Sequence, residues 1–391
     1  MIALTMKHEP LLPLPYLHQL ALYFQTRHRA VWDSFDAAQK SVSRRADVEL
    51  NLLKSAFRLS EHDHPALYAS VAKARAVLGV EQPIVLYQSH RGHQDNAAMF
   101  YTEEQGHLKF EGEILSALRP EEIDALIGHE VGHFKLWSAA DGAFLTCARL
   151  LEAMVAERDV HSSLIESHRL FHLYTEIYCD RAGALVAGRP EPMVSALVKL
   201  GAGEVVVSAE DYIAQAEEIF EKSAQERSRG NTHPEHFIRA RAVARWFLDE
   251  RGQAAVDQLI TEMIEGRKGL GELDVLGRDR LTGWTRTTVK RLTAGMAAPE
   301  SNAWNRHRER FVPVETERTA EDNVDLAEIC AGLARESETV RDYFAFLLLD
   351  FAVVDPSVRE AMRRCREMAI TLGLGARFDV LAERNLVALA A

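Results

Sequence analysis

Two histidines four residues apart, with a glutamate directly after the first, stand in the run Ile127-Gly128-His129-Glu130-Val131-Gly132-His133-Phe134. On a helix, positions i and i+4 share a face about one turn apart, so both imidazoles can reach a single Zn²⁺. Glu130 projects beside them, where a carboxylate can deprotonate a water held by the metal. A hydrolytic site needs more than this. It requires a helix under the pair, a third ligand downstream and a group that stabilises an oxyanion.

The line Thr175-Glu176-Ile177-Tyr178-Cys179-Asp180 offers the third ligand. Glu176 and Asp180 share a helical face: the first can complete a His, His, Glu set, and the second can accept the free ring N–H of a ligand histidine. Three protein ligands leave a fourth position for water, the catalytic form of a zinc site. Taken alone, the acidic pair reads rather as a solvated face, and the histidine pair tips it towards the metal. His172, four residues before Glu176, competes for the same role, and Cys179 could also approach the metal, although a small core residue explains it better. Further on, the turn-rich stretch Gly230-Asn231-Thr232-His233-Pro234 presents a histidine on a loop, and Arg239 follows on the next helical stretch. Such a pair suits an oxyanion formed as water attacks a carbonyl, and composition alone would make it a surface histidine and an ordinary ion pair.

Together, His129-Glu130-Val131-Gly132-His133, Glu176 with Asp180, and Thr232-His233-Pro234 with Arg239 resemble the zinc metallopeptidase family of the CAAX-prenyl endopeptidases and the HtpX-type heat-shock proteases. Asn96-Ala97, followed by a short strand and then the zinc helix, is similar to the core of that family. The resemblance covers about residues 45 to 250. It implies a gluzincin-type, zincin-like fold, one Zn²⁺ per chain and endopeptidase activity. It further implies His129, His133 and Glu176 as ligands, Glu130 as catalytic base, Asp180 as orienter of a ligand histidine, and His233 with Arg239 as transition-state assistants. Cys179 stands where the family usually has alanine. Many relatives carry membrane spans, but only residues 134 to 175 separate His133 from Glu176, room for a helical hairpin and not for a membrane-crossing pair.

These residues need elements to hold them. Pro120-Glu121-Glu122 marks a helix start, because proline costs no hydrogen bond at the first helical position and acidic residues suit the positive end of the dipole. Ile123, Leu126, Ile127, Val131 and Phe134 then supply a buried stripe. Gly128 and Gly132 weaken that helix by roughly 1 kcal/mol each relative to alanine, which suggests compensation by another element packed close. A second helical region spans about residues 140–187. Before the zinc helix, residues 83–87, 96–101 and 107–110 read as strands of a small sheet, with a turn over 89–95. An edge of that sheet beside a metal could hold an extended peptide, or the strands could simply pad the helix. Helical spacing from Tyr16 to about Phe57 gives an N-terminal brace of two or three helices, and another helix runs from Pro65 to Leu78, stopped by Gly79.

The fold class is therefore α+β and predominantly helical. The expected division is a brace over 1–60, a metallopeptidase domain over 61–300, and a C-terminal helical domain over 315–391. Residues 266–283 and 299–302 read as loops, and the last domain faintly resembles the TerB-like domain of tellurite-resistance proteins. With 58 acidic against 46 basic residues the formal charge is −12, which disfavours nucleic acid and anionic membranes as partners. Four scattered cysteines form no Cys-x-x-Cys pair and suit a reducing compartment. The N-terminus does not read as a secretory signal and no run is long enough to span a membrane, so the expected location is cytoplasmic. The expected partners are a peptide or protein substrate and a protein bound through the C-terminal domain. The function read is a zinc-dependent metalloendopeptidase, with a latent state in which His233, or His236 nearby, fills the fourth zinc position. Two alternatives stay open: a catalytically silent binding or scaffold protein with the peptidase fold, and a zinc hydrolase of a non-peptide amide.

Overall fold

The computed structural model describes residues 11–39, 42–89, 96–102, 104–202, 208–294, 302–312, 325–358 and 360–390. Most of the expected turn at 89–95, the expected loop at 299–301 and the N-terminal stretch 1–10 lie outside the described residues. The chain divides into two compact units, Met1–Val160 with Ser167–Gly266, and His161–Glu166 with Arg267–Ala391.

In the first unit, α1 (Pro15–Arg27), α2 (Arg29–Gln39) and α3 (Val42–Ser55) form the expected N-terminal helices. Leu17, Leu20 and Phe24 make the buried stripe of α1. The short β1 (Phe57–Arg58) leads to α4 (Pro65–Leu78), which ends on Gly79 in the left-handed conformation, φ 66°. A residue with no Cβ takes that cap without strain.

Next come β2 (Ile84–Ser89), β3 (Asn96–Tyr101) and β4 (Gly106–Glu111), within a residue or two of the expected strands. The sheet order is β1-β2-β4-β3; β2 and β4 are parallel, and the outer strands are antiparallel to their neighbours. Thus β3 is an edge. Leu86, Leu108 and Phe110 from the sheet bury against Ile127, Val131 and Phe134.

After α5 (Ile114–Ala117), α6 (Pro120–Ser138) starts with proline in its first turn, as expected. The region read as one helical run over 140–187 is two helices, α7 (Ala143–Val155) and α8 (Ser162–Ala187). Ala140, Asp141 and Gly142 take left-handed φ values of 49°, 56° and 81°, which turn the chain before α7. The polar run Glu157-Arg158-Asp159 lies between the helices, with no apolar stripe to continue either one. The connection from His133 to Glu176 is therefore a helical hairpin. The unit continues with α9 (Glu191–Ala202), α10 (Ala209–Lys222), α11 (His236–Leu248) and α12 (Gln253–Glu265).

The second unit is helical among the described residues: α13 (Val275–Thr293), α14 (Asn302–Phe311), α15 (Leu326–Arg335), α16 (Glu338–Val353), α17 (Ala361–Thr371) and α18 (Gly375–Ala390). Trp304, Ile329, Phe344, Leu348, Phe351 and Phe378 lie in its core. Residues 275–283, read from their glycines and charges as loop, belong to α13. The Asp274 side chain accepts the Gly277 N–H, and this N-cap outweighs the weak local propensity. The α+β, predominantly helical class holds. Among the described residues no helix is long and apolar enough to cross a membrane.

Candidate active site

The site is assembled where α6 crosses α8. A Cβ placed on Gly128 would lie 2.7 Å from the Val186 Cβ, and one on Gly132 would lie 2.7 Å from the Ala182 Cβ and 3.3 Å from the Cys179 Cα. No side chain fits at either position without separating the helices, so the glycines mark the close approach expected of them, and the element that approaches is α8. This contact sets the face of α6 carrying His129 and His133 against the face of α8 carrying Glu176 and Asp180.

Glu176 Oε2 lies 3.6 Å from His129 Nε2, and Oε1 lies 3.5 Å from His133 Nε2. Asp180 Oδ1 sits 3.0 Å from His129 Nδ1. An Nδ1–H donated there leaves the His129 Nε2 lone pair directed towards Glu176 and His133. Arg239, on α11, donates from Nε and Nη2 to the two oxygens of Asp180, at 2.8 and 2.7 Å. Its Nη2 is also 3.1 Å from Glu176 Oε2, an ion pair without hydrogen-bond alignment, so this buried oxygen has no hydrogen-bond partner. His233 Nε2 approaches the same oxygen at 3.6 Å. His129, Glu130, Glu176, Asp180 and Arg239 are buried, whereas the His233 side chain is 59% exposed.

The seven residues singled out in the sequence thus lie together, but Arg239 is placed unlike the expectation of a group facing an oxyanion. Its guanidinium is buried on two carboxylates. His172 is not beside the His129 and His133 nitrogens; its Nε2 meets His168 Nε2 at 3.0 Å. His236 sits against α9, where a Cβ on Gly201 would overlap its ring. Cys179 is closer to the centre than its reading as a core residue implies. Its Sγ and one nitrogen from each of His129 and His133 lie within 4.8 Å of one another, a His, His, Cys group that could hold a metal.

Burial pushes the Glu130 carboxyl up to about 7; Glu176 adds to this, while His129, Arg239 and the nearby Met99 backbone act against it. Burial likewise takes His133 down to about 4. At His129 burial works downward, but the Asp180 hydrogen bond and the Glu176 and Asp180 charges outweigh it, so the net direction is up. Burial raises Glu176, yet Arg239 and the histidines bring it below the ordinary carboxylate range. Asp180 is held low because Arg239 overcomes the cost of its burial. Burial, then Glu176, Asp180 and Glu130, raise the Cys179 thiol well above its usual value.

Residues 62–247 match the model of peptidase family M48. This stretch is an M48 domain. A protease HtpX homolog of Methanothermobacter thermautotrophicus is 26% identical over 160 residues, covering 36% of this chain and 61% of the relative. The plastoglobule-localized metallopeptidase 48, chloroplastic, of Arabidopsis thaliana is 24% identical over 205 residues, covering 48% of this chain and 58% of the relative. The chain thus spans about three fifths of the length of each. No solved structure matches.

The M48 domain contains two supports that sequence spacing did not reveal. Arg169 Nη1 of α8 donates to the Gly230 carbonyl at 3.0 Å and to that of Ser228 at 3.5 Å, pinning the His233 loop to the helix that carries Glu176. A Cβ on Gly230 would meet the His233 carbonyl oxygen at 1.9 Å, so the loop folds back on itself only with glycine there. The second support is the packing of β3 against α6, which brings the Met99 backbone close to Glu130. The strand was legible, but which of its N–H groups faces α6 depends on sheet register.

Proposed function

We propose that the chain is a zinc-dependent metalloendopeptidase with His129, His133 and Glu176 as ligands. The observation that supports this most is the Glu176 carboxylate, buried with one oxygen lacking a hydrogen bond and 3.5–3.6 Å from an Nε2 of each histidine. Arg239 already lends this oxygen a positive charge at 3.1 Å but no aligned donor, so a metal ion shared with the two imidazoles would supply the partner it lacks. Two imidazoles and a carboxylate are a donor set suited to zinc, which supplies acidification of water and polarisation of a carbonyl. Cys179 competes as a ligand, since its Sγ lies within 4.8 Å of a nitrogen of each histidine.

Glu130 takes the proton of the attacking water and passes it to the leaving amine. Its carboxylate is buried beside both histidines, where it can reach a water held between them. His233, exposed on its pinned loop, donates to the developing oxyanion. Arg239 acts as a positioning residue, holding Asp180 and Glu176, and Asp180 holds His129. An extended peptide lies along the edge strand β3, where the Ala97 N–H is already taken by Asn96 Oδ1 at 2.9 Å.

Glu130→Gln should retain zinc and lose cleavage of unstructured peptides by at least ~10²-fold. Undiminished proteolysis would sink the assignment. His233→Ala should lower kcat by roughly 10²-fold with little change in KM. A rise in basal activity would instead establish the second reading, in which His233 blocks the metal, a reading favoured by its 3.6 Å approach to Glu176.

A further inference from the structure

His168, His172, Glu176 and Asp180 follow one another at four-residue spacing along α8, so one face of the helix carries four metal-ligating side chains in line. The lower two belong to the site above. The upper two have no part in it. His168 Nε2 and His172 Nε2 face each other at 3.0 Å, with ring centroids 4.4 Å apart and planes at 75°. Both rings are half-buried. They are separated from His133 by an aromatic wall, in which Trp137 stacks on His133 and on Phe171, and Phe171 meets His172 edge-on.

We propose that His168 and His172 form a second, weaker site for a borderline divalent transition-metal ion such as Zn²⁺, distinct from the His129, His133, Glu176 centre. Two imidazole nitrogens on a tetrahedral zinc are roughly 3.3 Å apart, given Zn–N bonds of about 2.0–2.1 Å, so the pair needs only a small ring rotation to receive the ion. One Nε2–H is now shared between the rings. Binding requires that ring to move its proton to Nδ1, a change of tautomer that leaves it neutral and releases no net proton.

Two carboxylates offset part of the burial cost that a cation meets here. Glu152 of α7 lies in the electrostatic field of both rings, and Glu176 in that of His172, opposed by the His233 imidazole when it is protonated. Burial holds His172 down at about 4, so protons do not compete for it at neutral pH. Water completes the coordination, because two protein nitrogens alone make an open and weak site.

The test is equilibrium dialysis of the metal-stripped full chain against buffered zinc, with bound metal counted by mass spectrometry. Wild type should take up two equivalents, one tight and one weak. His168→Ala and His172→Ala should each lose the weak equivalent and keep the tight one. His129→Ala combined with His133→Ala should do the reverse. A wild type that saturates at one equivalent unaffected by either α8 substitution overturns the proposal. So does a second equivalent that survives both. If the wild type binds only a weak equivalent that the α8 substitutions remove, this site stands and the reading of the catalytic centre fails. Retained tight binding doubles as the folding control for the α8 variants.

Discussion

Asp180 Oδ1 lies 3.0 Å from His129 Nδ1 while the same carboxylate accepts two N–H groups of Arg239 at 2.7 and 2.8 Å. One buried carboxylate therefore fixes the His129 imidazole and neutralises a buried guanidinium. Asp180→Asn removes the charge from both. Zinc affinity should fall about 10–100-fold, the usual effect of losing the partner of a ligand histidine. Stability should also drop, towards the lower end of the roughly 3–5 kcal/mol cost of breaking a buried pair, because Arg239 keeps Glu176 at 3.1 Å. Chelator competition reads the first effect, and denaturation of the metal-free protein reads the second.

Much of this centre was legible in the sequence because its chemistry is carried by local spacing. The His129–His133 pair, the Glu176–Asp180 pair and the two glycines each lie on a single helix, where a 3.6-residue repeat turns sequence separation into geometry. What was illegible depends on contacts between elements. The orientation of Arg239 onto Asp180, the approach of the β3 backbone to Glu130 and the Arg169 hold on Gly230 all require knowing how α11, β3 and the His233 loop meet α6 and α8. The left-handed Ala140 and Asp141 were missed for a related reason. Neither residue type announces positive φ as glycine does, so the break before α7 had only Gly142 to mark it.

Glu176 and Cys179 sit one turn apart on α8, and both approach the histidine pair. They make opposite predictions about which one binds. With the carboxylate as ligand, Glu176→Ala should lose tight zinc, whereas Cys179→Ala should retain zinc and peptidase activity. Substituting cobalt for zinc separates the cases independently, because a thiolate ligand gives an intense charge-transfer band in the near ultraviolet. That band should be absent from the wild type. Its presence, together with zinc loss in Cys179→Ala, would transfer the ligand role to the thiol.

Gly132→Ala should be destabilising although alanine is the better helix former. Its added methyl would lie 2.7 Å from the Ala182 Cβ and 3.3 Å from the Cys179 backbone. Overpacking of this kind costs roughly 1–3 kcal/mol, against a propensity gain of about 1 kcal/mol. Gly128→Ala meets Val186, at the other end of the crossing and ten residues beyond Glu176. Zinc affinity should therefore fall more in Gly132→Ala than in Gly128→Ala, even where their melting temperatures match. Equal affinity losses would mean that the crossing responds as a rigid whole.

Glu122 makes the pH dependence of the scaffold predictable apart from the metal. Its buried carboxylate accepts from the Ser195 hydroxyl at 2.6 Å, the Lys199 ammonium at 2.7 Å and the Arg119 backbone at 2.7 Å, tying the first turn of α6 to α9. Burial alone would raise its proton affinity, but Lys199, Ser195 and Arg119 overcome that and bring it down to about 2. The folded value is depressed, so the stabilisation is present above the unfolded value near 4.5 and is lost as pH falls from there towards about 2. The contribution is on the order of 3 kcal/mol at neutral pH. Glu122→Gln should lose most of it at neutral pH and show a flatter decline in acid. Urea denaturation of the metal-free protein across that range measures both, and parallel acid profiles for wild type and Glu122→Gln would assign the acid sensitivity to other carboxylates.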